Sequence, residues 1–211
     1  MERPLLRGVT HEYAFYVSVI VGVGLVVGAR TPVATVAATI FAATVACMFG
    51  ASALYHRVRW TPSTRRWMRR IDHAGIFLVI GGSYTPYTLM VLSGPVQVVV
   101  LALVWSGVAA AIVLRFVWVT APGWVAAGIG LGLGWVSLIA FPQLVARVSP
   151  AGIALLAAGG VLYTAGALVY ALRRPDPAPR VFGYHEVFHA LVVVAVACQY
   201  ASIALYVLPG S

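Results

Sequence analysis

The chain has 211 residues, 62% of them apolar and only 9% charged, with a net charge of +9. That composition excludes a water-soluble globular domain, and the apolar residues fall in blocks long enough to cross a hydrocarbon core ~30 Å thick. The basic residues hug the block ends, where anionic lipid accounts for them, so a nucleic-acid partner is not expected.

Seven segments follow in chain order: roughly 12–29, 33–56, 71–92, 95–114, 123–145, 151–172 and 184–208. Their ends are punctuated by Thr31-Pro32, Ser93-Gly94-Pro95, Ala121-Pro122-Gly123, Ser149-Pro150 and the run from Pro175 to Pro179. The pattern predicts one all-α membrane domain, 1–211, built as a seven-transmembrane helix bundle. The longest polar stretch, Arg57 to Arg70, leaves no room for a second domain. The first segment is too long for a cleaved signal peptide and no small-residue cleavage site follows it. Gly128, Gly130, Gly132 and Gly134 suit either close helix packing or a lipid-facing surface. Pro86 is expected to kink the third segment, and Cys47 and Cys198 read as packed thiols.

All fourteen basic residues are arginine. Arg3 and Arg7 precede the first segment; Arg57, Arg59, Arg65, Arg66, Arg69 and Arg70 lie between the second and third. Arg115, Arg173, Arg174 and Arg180 complete that side, which leaves Arg30 and Arg147 for the other. The bias predicts a cytoplasmic N-terminus and, with seven crossings, an external C-terminus.

On that topology four polar residues reach one depth. His56 closes the second segment, Asp72 opens the third, and His185 and His189 occupy the first turns of the last. Ionisable groups at membrane depth are costly and mark function with a partner to be named. Histidines four apart share a helix face, and a third imidazole completes the three-nitrogen shell of a catalytic zinc site. Zinc lowers the pKa of water in the fourth position toward ~7. Asp72 is then the candidate to orient that water or take its proton, and Ser52, one turn before His56, can donate to a carbonyl oxygen.

Each residue also has a plainer reading. Asp72 and Glu186 suit a helix N-terminus, and Ser52 can bond a carbonyl one turn back; His11 and Glu12 start a helix on the same side and could line the mouth of the site, though capping or interfacial solvation suits them better. His73, about 100° from Asp72 on a helix, is not expected to be a ligand.

His185-Glu186-Val187-Phe188-His189 matches the H-E-x-x-H pattern of zinc proteases, whose third ligand usually lies downstream. Residues 190–211 hold no His, Asp or Glu, so the protease reading loses its usual geometry.

Taken together, Ser52-Ala53-Leu54-Tyr55-His56, Asp72, Tyr84-Thr85-Pro86 and the His185–His189 block resemble the hemolysin III family, the bacterial branch of the progestin and adiponectin receptor proteins. A more distant similarity is to alkaline ceramidases. The resemblance implies zinc on His56, His185 and His189, Asp72 on the zinc-bound water, and Ser52 close by. It also implies a multi-pass protein of the bacterial plasma membrane. Arg7-Gly8-Val9-Thr10-His11 departs from the receptor pattern, lacking the asparagine before the histidine, and no sizeable N-terminal domain precedes it. Hormone reception is therefore not expected. The leading expectation is a zinc-dependent hydrolase of a lipid amide or ester near the cytoplasmic leaflet. A pore-forming cytolysin and a sensor with structural zinc are the alternatives.

Overall fold

The computed structural model describes residues 4–118 and 121–210; Arg3, part of the charge count above, lies outside them. The described residues form eight α-helices: α1 Val9–Val27, α2 Pro32–Arg57, α3 Pro62–Met90, α4 Gly94–Val117, α5 Gly123–Trp135, α6 Ser137–Arg147, α7 Pro150–Leu172 and α8 Tyr184–Ser202. A π-helical turn, Ile203–Val207, and a 3₁₀ turn, Leu208–Gly210, extend α8. Among the described residues there is no strand, only an isolated bridge between Ala178 and Phe182.

Among the described residues six stretches are long and apolar enough to cross a membrane: α1, α2, α4, the α5–α6 pair, α7 and α8 with its π turn. The protein is therefore an all-α, multi-pass membrane protein. The third helix differs from expectation. It starts at Pro62 rather than near residue 71, because Thr61 caps it, its hydroxyl accepting from the Thr64 N–H, and Pro62 supplies the fixed φ of a first turn. The arginine-rich stretch is thus largely helical, and Asp72 lies three turns inside the helix. The N-terminal reading of Asp72 fails with it.

The fifth segment is also not one helix. It breaks at Val136, and Tyr84 of α3 holds the break. The Tyr84 hydroxyl donates toward the Leu133 and Gly134 carbonyls, at 2.9 and 2.6 Å, and accepts from the Ser137 N–H at 2.8 Å. The glycines of α5 meet almost nothing: a methyl added at Gly128, Gly132 or Gly134 would find open space. The lipid-facing reading of that stripe is the one realised.

The core runs through α2, α3 and α4, with Phe41, Met48, Phe77, Val100, Val104 and Val108 almost fully buried. The closest long packings are α2 on α3, α7 on α8 and α1 on α2. Gly75 permits the first: a Cβ there would sit 3.1 Å from the Met48 Cα. Cys198 is partly buried, whereas Cys47 is exposed, contrary to its reading as a packed thiol.

Two sets of contacts fix opposite ends of the bundle. At one, the Leu5 and Leu6 N–H groups donate to the Arg180 and Val181 carbonyls, at 3.0 and 3.1 Å, tying the start of α1 to the lead-in of α8. At the other, Arg147 of α6 donates to the Val91 carbonyl and the Ser93 hydroxyl, at 2.6 and 2.9 Å. Replacing Tyr84 by Phe leaves the Ser137 N–H without its acceptor, so thermal denaturation in detergent is expected to show a loss of about 1–3 kcal/mol.

Candidate metal centre

The site is assembled where α1 and α8 begin and α2 ends. His56 sits in the last turn of α2, His185 and His189 in the first two turns of α8. One nitrogen from each can be chosen so that all three lie within 4.8 Å of one another. The Nε2 atoms of His56 and His185 are 3.2 Å apart. Tetrahedral coordination with bonds of ~2.0–2.1 Å separates ligand nitrogens by ~3.3 Å, so this pair already has the spacing that one small cation would impose. The same distance serves a hydrogen bond between the rings when no metal is bound. The His189 Nδ1 is buried without a hydrogen-bond partner, as expected of a ring held for something else.

Asp72 approaches from α3, its Oδ2 3.9 Å from the His56 Nε2. Ser52 is 1% exposed; its hydroxyl faces the Asp72 carboxyl but closes no hydrogen bond of ordinary geometry. The plainer reading of Ser52, a bond to a carbonyl one turn back, is not the one adopted. Thr44, Ser83, Thr85 and Thr88 all make that bond. Ser52 is thus an uncommitted hydroxyl between α2 and α3, beside the carboxylate. All five residues expected at the site are brought together.

Glu186 has a different task. It is 1% exposed, accepts from the Gly183 N–H at 2.9 Å across the first turn of α8, and pairs with Arg7. A carboxylate committed to a helix start and an arginine is not free to act as a general base, which removes the remaining support for protease geometry. Glu12 pairs with Arg57 at 2.7 Å in a half-exposed bridge between α1 and α2, rather than capping α1.

Two residues gain importance in three dimensions. His11, expected to cap or to be solvated, is 3% exposed. Its ring lies flat on that of His189, with centroids 3.8 Å apart and an interplanar angle of 3°, and its edge meets Phe49. The signal was the stripe His11, Ala14, Ser18, Gly22 and Leu25, which puts His11 on the packed face of α1. Gly8 allows this approach: it takes a left-handed φ of 80°, and a Cβ there would collide with the Cβ of His56. Arg115, counted above only for topology, is 4% exposed. It bonds the His73 Nδ1 and lies near Asp72 and Tyr170. His73 therefore turns toward α4 and away from the three histidines, as its helical position predicts.

Residues 1–200 match the family described as Haemolysin-III related. The chain belongs to that family. Among similar proteins, the "Hemolysin-3" of Bacillus cereus is 26% identical over 212 residues, covering 99% of this chain and 94% of the relative. The "Hemolysin-3 homolog" of Bacillus subtilis (strain 168) is 29% identical over 168 residues, 80% of this chain and 76% of the relative. The match to the family extends across every element that carries a site residue, from His11 in α1 to His189 in α8.

Stacking by His11 orients His189 where no hydrogen bond to its Nδ1 does so. His11→Ala is expected to weaken metal binding roughly tenfold to a hundredfold, the effect of losing an orienting neighbour, whereas His11→Phe keeps the stack and most of the affinity. Chelator competition on the purified protein reads both.

Proposed function

We propose that this family member is a zinc-dependent hydrolase of a lipid amide or ester. Zinc would be held by His56, His185 and His189, in a seven-span bundle of the bacterial plasma membrane with its N-terminus in the cytoplasm. The observation that carries the reading is a buried carboxyl, Asp72, faced by the Ser52 hydroxyl, beside three convergent imidazoles. A purely structural metal site would use four protein ligands and need no such pair. The seventh crossing would be α3, Pro62–Met90, which at 29 residues is long enough to span although it is less apolar than the other six stretches. Its orientation follows from the arginine bias, which puts the histidines at the cytoplasmic interface.

Bound zinc supplies Lewis acidity and makes a water acidic enough to ionise near neutral pH. The chain's own residues do the rest. Asp72 takes the proton from the water as its oxygen adds to the substrate carbonyl. The Ser52 hydroxyl, having no other bond, donates to the oxygen on which negative charge develops. When the carbon–nitrogen or carbon–oxygen bond breaks, Asp72 returns the proton to the leaving amine or alcohol. Arg7 and Glu186 hold the start of α8, and so the two histidines on it, in register with His56. The name of the two Bacillus relatives suggests a second reading, lysis of membranes, and the test below separates it.

Metal analysis of the purified protein is expected to give about one zinc per chain, lost on His185→Ala, as for a site with a full ligand set. A metal-free native protein sinks the proposal. Asp72→Asn is expected to retain zinc while lipid-amide turnover falls by ~10²–10⁴, the contribution of a general base. Dye release from liposomes that survives His56→Ala would instead support lysis.

A further inference from the structure

Residues 4–8, ahead of α1, form a strap across the end of the bundle at which the histidines gather. Its outer part lies on the linker into α8, where the Leu5 and Leu6 N–H groups meet the Arg180 and Val181 carbonyls. Its inner part lies on the last turn of α2, where Gly8 is buried against His56 and Arg57. Between the two, Arg7 turns inward. It pairs with Glu186 and lies near His185 and His189. Its Nε is withdrawn from water, while the side chain as a whole is 21% exposed. The strap thus joins the end of α2 to the start of α8, the two elements that deliver the imidazoles, and Arg7 stands between them and solvent.

We propose that this strap is the aqueous gate of the histidine centre, and that a divalent cation enters and leaves when it swings away. What holds the strap differs from what holds the helices. Leu5 is 74% and Leu6 39% exposed, so neither leucine anchors it in the core. The Arg7–Glu186 pair closes no aligned hydrogen bond. A segment kept in place by a few polar contacts opens well before a packed core does. Its departure leaves both neighbouring helices intact. Helix α1 still packs on α2 and α8. Helix α8 keeps the Asp176 carboxylate on its Tyr184 N–H, at 2.8 Å, and Glu186 on the Gly183 N–H. Gly8, the one residue between Arg7 and α1, has a φ of 80° and supplies the hinge, since without a Cβ it moves between left- and right-handed conformations at little cost. The gate stands on the strap alone; that its traffic is a cation rests on the metal-centre reading.

Histidine accessibility tests the gate without any metal. Metal-free protein in detergent is treated with diethyl pyrocarbonate, and the modification rate of each histidine is followed by peptide mass, with His73, turned toward α4, as internal reference. Leu6→Pro, which deletes one of the two backbone donors, is expected to speed modification of His185 about twofold to tenfold, the weight of one hydrogen bond. Leu6→Cys with Val181→Cys, in a Cys47→Ser, Cys198→Ser background, sets two exposed positions across the same contact. Oxidation of that pair with diamide is expected to slow His185 modification about tenfold or more, and reduction to restore it. In zinc-loaded protein, uptake and release to a chelator should change together in both variants, leaving the equilibrium affinity as it was. His185 modification that neither variant alters overturns the proposal, because access then bypasses the strap. So does an affinity that shifts through the release rate alone, the mark of a strap that only positions ligands. Strap-dependent modification in a protein that holds no zinc leaves the gate standing and sinks the metal-centre reading.

Discussion

An imidazole nitrogen withdrawn from water costs free energy until something takes its lone pair or its proton, and this protein gathers four imidazoles at one end of a membrane bundle. His11, His56 and His189 are almost fully buried, and His185 is partly so. The Nε2 atoms of His56 and His185 lie at hydrogen-bond distance, while the His189 Nδ1 and both nitrogens of His11 are buried without such a partner. A cation could satisfy one nitrogen of each of His56, His185 and His189 at once. The rest of the molecule can be understood as the means of holding them there. Gly8 lets α1 reach His56, Gly75 lets α3 approach α2, and Arg7 with Glu186 fixes where α8 begins.

The membrane class, six of the helical segments and the convergence of His56, Asp72, His185 and His189 were legible because they depend on properties a sequence carries directly. Apolar run length fixes the crossings, and the order of the segments brings the end of one beside the start of another. What could not be read depended on contacts between helices. The start of α3 was obscured by its arginines, although Thr61-Pro62 repeats the capping pattern of Thr31-Pro32 and Ser149-Pro150, which was recognised. The break at Val136 has no marker of its own. It is held by a tyrosine fifty residues away, so hydropathy alone reports a single segment.

His11 and Arg115 illustrate the same limit at the site. Alone, each is a basic residue near a helix end, and solvent or lipid headgroups explain such residues adequately. Their burial follows from which face of α1 meets α8 and which end of α4 meets α3. A stripe of small residues hints at the first; nothing in the sequence of α4 hints at the second. Ser52 was legible as a possibility and became informative through what it does not do. Thr44 on its own helix and Ser83, Thr85 and Thr88 on α3 spend their hydroxyls on carbonyls one turn back, and it does not.

The fate of Glu186 explains why a short motif and the chemistry it usually denotes can part company. In a H-E-x-x-H helix the glutamate works because it stands free beside the metal. Here the motif lies at the first turn of α8, where unpaired backbone N–H groups and Arg7 both draw the carboxylate. Position on the helix thus decides the role before the metal does. In the proposed reaction the base comes from another element, and Asp72 of α3 is the carboxyl beside the histidines. Separating anchor from base also leaves the face of α8 that carries His185 and His189 clear of the carboxylate next to them in sequence.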